Sequence, residues 1–187
     1  MWTALAFAHG SSYAAAATDN ACPSLLQHTF PRLQDEKPVS MCSLSGKVLL
    51  VVNTASYCGY TGQYEELEKL QQQYSAQGFS VVGFPSNDFG GQEPKSNKQI
   101  ADFCANTFGV KFPMFAKSSV TGAQANPLYK QLTTLTGQAP SWNFFKYLID
   151  RNGQVIGVYR SGISPLSTEI TNPLRRALEA PRSTLQQ

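Results

Sequence analysis

Four cysteines, Cys22, Cys42, Cys58 and Cys104, and two histidines, His9 and His28, are the residues of this 187-residue chain from which redox, metal or nucleophilic chemistry could be built. No two cysteines stand as C-x-x-C, which speaks against both a zinc ribbon and a vicinal dithiol. Both histidines precede the part of the chain that reads as a folded domain, so no histidine triad, metal or cofactor site is expected. Cys58 is the thiol best placed for chemistry. It lies in Ser56-Tyr57-Cys58-Gly59-Tyr60-Thr61, between an apolar run and an amphipathic segment. A cysteine acts as a nucleophile in its thiolate form, which a helix N-terminus and a reachable position favour. The junction is expected to supply both, with Gly59 letting backbone amides approach and Thr61 capping the helix.

The elements that must hold this thiol follow from periodicity. Lys47 to Asn53, KVLLVVN, is continuously apolar and β-branched, as a strand covered on both faces should be. Gln63 to Tyr74 places Tyr64, Leu67, Leu70 and Tyr74 at helical spacing, and Gly78 stops that helix before the strand FSVVGFP. Strand, helix and strand make a parallel crossover, which puts the Cys58 loop at the carboxyl end of the sheet.

Upstream, Thr29 to Leu33 and Val39 to Cys42 alternate as the arms of a small hairpin. Downstream, helices are expected over about Lys98 to Phe108, capped by Ser96 or Asn97, and from Pro127 to Thr134. FFKYLID and QVIGVYR read as a hairpin around Arg151-Asn152-Gly153, and a last helix spans Ser167 to Glu179. The order predicts an α/β, thioredoxin-like fold: a central mixed sheet flanked by helices, with an N-terminal β-hairpin extension.

Bulk properties narrow the partners. With 42% hydrophobic and 11% aromatic residues the chain can bury one core, and residues 19–187 are expected to form a single domain. The net charge of +3 comes from 15 basic and 12 acidic residues without a basic run, so nucleic acid is not an expected partner. Residues 1–18 carry a short apolar run, Trp2 to Phe7, and the small residues Ala14 to Ala17, a pattern like a secretory signal. An exported or periplasmic location is therefore expected, with the cytoplasm as the alternative. The apolar run is too short to span a membrane.

The segment NTASYCGYTGQYEELEKL resembles the active-site segment of glutathione peroxidases, N-x-A-S-x-C-G-x-T-x-Q-Y. GFPSNDFGGQEP, KFPMFAK and SWNFFKYLIDRNG resemble three further segments of that family, in the same order over about Gly46 to Tyr159. The resemblance implies a thiol peroxidase reducing hydrogen peroxide and organic hydroperoxides, with Cys58 as the peroxidatic residue and Gln92, Trp142 and Asn143 as its polar companions. Their amide and indole N–H groups are donors that can stabilise a thiolate or a developing alkoxide without titrating.

Cys104 lies in DFCANTFGVKFP, which resembles the segment carrying the resolving cysteine of the thiol-dependent members. The resemblance implies that Cys104 condenses with a sulfenic acid on Cys58, and that a thioredoxin-like dithiol, or else glutathione, reduces the product. Cys22 and Cys42 match no catalytic segment and would form a structural disulfide in an exported protein. Departures from the family pattern are Ser86, Asp88, Gly62 and Lys95, where cysteine, glutamine, proline and glycine are frequent. The stretch from Tyr129 to Trp142 lacks the insertion through which tetrameric relatives associate, so a monomer is expected. The competing readings are a thioredoxin-like disulfide oxidoreductase, for which Thr61 stands where a second thiol belongs, and a redox sensor using the Cys58–Cys104 pair.

Overall fold

In the computed structural model, which describes residues 22–180, the chain opens on a short hairpin, Thr29–Pro31 (β1) paired antiparallel with Pro38–Ser40 (β2). The signal-like residues 1–18 lie outside the described residues. Both arms are shorter than the sequence pattern suggests. Pro31 faces Pro38 at one end of the ladder, where neither has an N–H to donate. At the other end Met41–Leu44 tightens into a 3₁₀ turn, whose Cys42 N–H donates to the Ser40 side chain.

Val48–Thr54 (β3) and Phe79–Pro85 (β4) run parallel, joined by Gln63–Tyr74 (α1). Both strands are buried at every position, which explains their unbroken apolar runs. Asn97–Phe108 (α2) begins at a capping box between Ser96 and Gln99 and ends at Gly109 in the left-handed conformation. Pro127–Thr136 (α3) is capped by Asn126 and runs past the expected end at Thr134 until Gly137, whose φ is +67°. Lys146–Ile149 (β5) and Val155–Tyr159 (β6) form the second hairpin, and Thr168–Glu179 (α4) closes the described chain. The hairpin turn is held by Asp150, whose Oδ1 accepts from Asn152 N and Gln154 N, and by Gly153 at φ +80°.

The sheet order is β4-β3-β5-β6, with β5 antiparallel to both β3 and β6. Alternation along the strands divides the core in two. Val48, Leu50 and Val52 pack with Leu67, Leu70, Ile100, Ile170 and Leu174 from α1, α2 and α4. Leu49 and Val51 pack on the opposite face with Leu128, Tyr129 and Leu132 of α3 and with Leu25, Leu26 and Phe30 of the N-terminal segment. The result is the expected thioredoxin-like mixed sheet with helices on both faces. No helix among the described residues is long and apolar enough to cross a membrane.

Candidate active site

Cys58 sits in the turn that leaves the carboxyl end of β3, half-buried against the core face that carries α1 and α2. It is ahead of the helix rather than on it. Gly62 is the N-cap of α1, with no side-chain cap bond, and the first helical amides of Gln63, Tyr64 and Glu65 donate to carbonyls of the turn itself. The first helical amides are thus engaged by turn carbonyls, and the N–H that bonds the sulfur comes from the turn. The donor on Cys58 Sγ is Tyr60 N, at 3.4 Å. Thr61 shapes the turn instead of capping the helix: its Oγ1 accepts from Cys58 N at 3.1 Å and lies 2.7 Å from the Cys58 carbonyl. Gly59 has open space where a Cβ would stand, which leaves the approach to the turn uncrowded.

Gln92 and Asn143 meet. Asn143 Nδ2 donates to Gln92 Oε1 at 2.9 Å, bringing together residues far apart in the chain. With Oε1 occupied as acceptor, the Nε2 group of Gln92 is the part left to donate. Gln92 is also tied to the Cys58 turn, since Tyr57 N donates to its carbonyl at 3.1 Å. Trp142 is 38% exposed and leans on Phe89, with ring centroids 5.9 Å apart. Its ring passes within 3.5 Å of where a Cβ on Gly90 would stand. Gly90 and Gln92 belong to one loop, so Trp142, Asn143 and Gln92 share one wall beside the Cys58 turn.

A residue quoted in the motif but given no role, Asn53, holds that wall. At the end of β3 its Nδ2 donates to the Trp142 carbonyl at 3.0 Å, its Oδ1 accepts from Phe145 N at 3.1 Å, and its backbone carbonyl accepts from Phe144 N at 2.6 Å. Phe144 between them adopts φ +61°, costly for a bulky side chain and sustained by this clamp. The signal was legible in principle, since an asparagine at the end of a buried strand must find partners for its amide.

Cys104 is buried on the inner face of α2 in the same cluster that Cys58 packs against, and both thiols are free. Burial pushes the Cys104 thiol up to about 11, with the nearby Glu93 acting in the same direction and Tyr64 and the Lys95 charge in the opposite one. Glu93 was not singled out from sequence. It is fully buried, its Oε2 accepts from Ser56 Oγ at 2.9 Å and its Oε1 has no partner. Burial raises its carboxyl above the usual range, opposed by the Ser56 bond.

Cys22 and Cys42 are joined in a disulfide with Cα atoms 5.4 Å apart, pinning the start of the described chain to the 3₁₀ turn after β2. It lies on the core face opposite to Cys104.

Comparison with known proteins agrees with this arrangement. Residues 26–133 match the family profile described as glutathione peroxidase. A glutathione peroxidase-like peroxiredoxin of Schizosaccharomyces pombe is 47% identical over 139 residues, covering 72% of this chain and 88% of its own. A hydroperoxy fatty acid reductase of Synechocystis is 43% identical over 141 residues, covering 70% and 83% respectively. The crystal structure of Trgpx in apo form superposes with a TM-score of 0.67 at 34% identity, covering 84% of this chain and 97% of that one. With the profile spanning more than half of the chain, and relatives this similar along most of their length, the chain belongs to the glutathione peroxidase family.

Proposed function

We propose that this protein reduces hydroperoxides at Cys58 and resolves the product with Cys104. The observation that carries the reading is the Cys58 sulfur itself, half-buried, accepting a backbone N–H from Tyr60 in a turn tied through Tyr57 to Gln92. The Cys58 thiolate attacks the terminal peroxide oxygen, the O–O bond breaks, and the alkoxide leaves as alcohol or water after taking a proton. Gln92 and Trp142 donate to the charge as it develops, and Asn143 keeps the Gln92 amide oriented. Cys58 is left as sulfenic acid. Cys104, as thiolate, then attacks the Cys58 sulfur, the S–O bond breaks, and hydroxide departs as water with the proton that Cys104 gave up. An external dithiol reduces the resulting disulfide by two successive exchanges.

The relatives named as a peroxiredoxin and as a hydroperoxy fatty acid reductase support hydroperoxide as the oxidant and a thiol as the reductant. A buried resolving thiol in the same chain favours a thioredoxin-like dithiol over glutathione, because the intramolecular disulfide needs two thiols to open it. The Cys22–Cys42 disulfide and the signal-like residues 1–18 support an exported location, where such a bond persists. The short stretch between Tyr129 and Trp142 supports a monomer.

The test is peroxide-dependent NADPH oxidation coupled through thioredoxin and its reductase, set against the glutathione couple. Cys58→Ser should lose turnover in both. Cys104→Ser should lose the thioredoxin-coupled rate while still forming sulfenic acid on Cys58. Full turnover by Cys58→Ser would end the reading.

A further inference from the structure

Lys95 stands between two aromatic rings that neighbour the thiols in sequence, in a way the mechanism does not use. Its Nζ lies 4.4 Å from the ring centroid of Phe103 and 4.8 Å from that of Tyr57. Phe103 is the neighbour of Cys104 on α2, and Tyr57 is the neighbour of Cys58 in the turn. The backbone around Lys95 is held on both sides. The Lys95 carbonyl accepts from Lys117 Nζ at 2.7 Å, Lys117 Nζ also donates to the Glu93 carbonyl at 3.2 Å, and the next residue, Ser96, is locked in the capping box of α2. One cation thus joins the side chains beside the two cysteines from an anchored point.

Joining Cys58 in the turn to Cys104 on the inner face of α2 would act on this arrangement. The two Cα atoms of a disulfide must come within about 7 Å with matched side-chain directions. On a helix, successive side chains point roughly 100° apart, so Cys104 is buried in the core while Phe103, half-buried at its edge, meets Lys95. Where the helix rotates or unwinds to turn Cys104 toward the Cys58 turn, that motion carries Phe103 off the ammonium. Movement of the Cys58 turn carries Tyr57 off it in the same way.

We propose that Lys95 is a latch that holds the Cys58 turn and the Cys104 helix in the reduced arrangement and thereby limits the rate at which the two thiols join. The inference rests on the peroxidatic and resolving roles given above. Its role is positioning: Lys95 touches neither the peroxide nor the sulfur atoms in this scheme. By slowing resolution it lengthens the life of the sulfenic acid, which leaves Cys58 open to a second peroxide and to partner thiols. The redox step is unchanged: Cys58–SOH and Cys104–SH give the disulfide and water, the oxidising equivalent having come from the hydroperoxide.

The experiment is a single-turnover peroxide pulse on the reduced full chain, quenched in acid and read by non-reducing mass spectrometry for sulfenic acid, disulfide and sulfinic acid. Lys95→Gln, which removes the cation, should form the Cys58–Cys104 disulfide about fivefold faster, the order expected for loss of two part-exposed cation–π contacts. Its first oxidation step should stay within twofold of wild type, and its sulfinic acid yield at excess peroxide should fall. Lys95→Arg keeps a cation over both rings and should behave like wild type. Disulfide formation in Lys95→Gln that is no faster than wild type overturns the latch. Slower formation assigns the Lys95 charge to assisting the Cys104 thiol, and an arginine variant that behaves like glutamine shows the contacts to be incidental; both refute the proposal. Sulfenic acid on Cys58 in Cys104→Ser separates these results from failure of the function itself, whose absence would remove both.

Discussion

Asn143 donates to Gln92 Oε1 at 2.9 Å, and this single bond decides which end of the Gln92 amide is free to act. A glutamine rotating freely would present oxygen as readily as nitrogen to a thiolate. With the oxygen engaged, only the N–H side remains, and it belongs to the residue whose carbonyl receives Tyr57 N from the Cys58 turn.

Gln92→Ala should therefore lower kcat/KM for hydroperoxide by about 100-fold, the scale for loss of one preorganised donor. Asn143→Ala should cost about tenfold, because Gln92 survives but is no longer oriented. Stopped-flow oxidation of the reduced protein measures both, and a Gln92→Ala rate within twofold of wild type would remove Gln92 from the site.

Reactivity should separate the two free thiols. In the native reduced protein iodoacetamide should label Cys58 first, since it is half-buried and lies beside open space at Gly59. Cys104, whose thiol burial pushes from 9.0 to about 11, should ionise and alkylate about 100-fold less than an ordinary thiol at neutral pH. In urea the difference should vanish. Peptide mass spectrometry after a timed pulse reads both.

Lys146 gives stability a pH dependence of unusual sign. The side chain is fully buried in β5, with Nζ donating to the carbonyls of Phe144 at 2.7 Å, Ile163 at 2.9 Å and Ser161 at 3.4 Å. Burial lowers it from 10.5 to about 7, opposed by Glu66. Below that pH both folded and unfolded chains carry the proton, and above 10.5 neither does. Between the two the unfolded chain binds more protons, so stability rises with pH, by at most about 1.4 kcal/mol per unit. Denaturant unfolding of wild type relative to Lys146→Met should show wild type gaining over this window; a flat difference would mean that the ammonium persists there.

The Cys22–Cys42 disulfide should matter for stability and not for chemistry. Replacing both cysteines by alanine should cost about 3 kcal/mol, as expected for a loop of 20 residues. The melting temperature should fall by about 6–12 °C. Peroxidase activity per folded molecule should stay within twofold, because the bond lies on the core face opposite to Cys104. Calorimetry beside the coupled assay measures each.

Much of this protein is determined by its sequence alone. The order of strands and helices follows from local periodicity and caps, and the four segments carrying Cys58, Gln92, Phe112 to Lys117 and Trp142 declare the family because each is short and contiguous. What only the tertiary structure decides is how those segments face one another. The Asn53 clamp on Trp142 and Phe145, the left-handed Phe144, the burial of Glu93 against Ser56 and the placement of Lys95 between Tyr57 and Phe103 join residues from separate elements. The site of Cys58 shows the difference most simply. Its loop could be read from the strand before it and the helix after it. Which N–H reaches the sulfur depended on turn carbonyls consuming the first amides of α1 and leaving Tyr60 N as the donor, a competition between partners that only folded geometry settles.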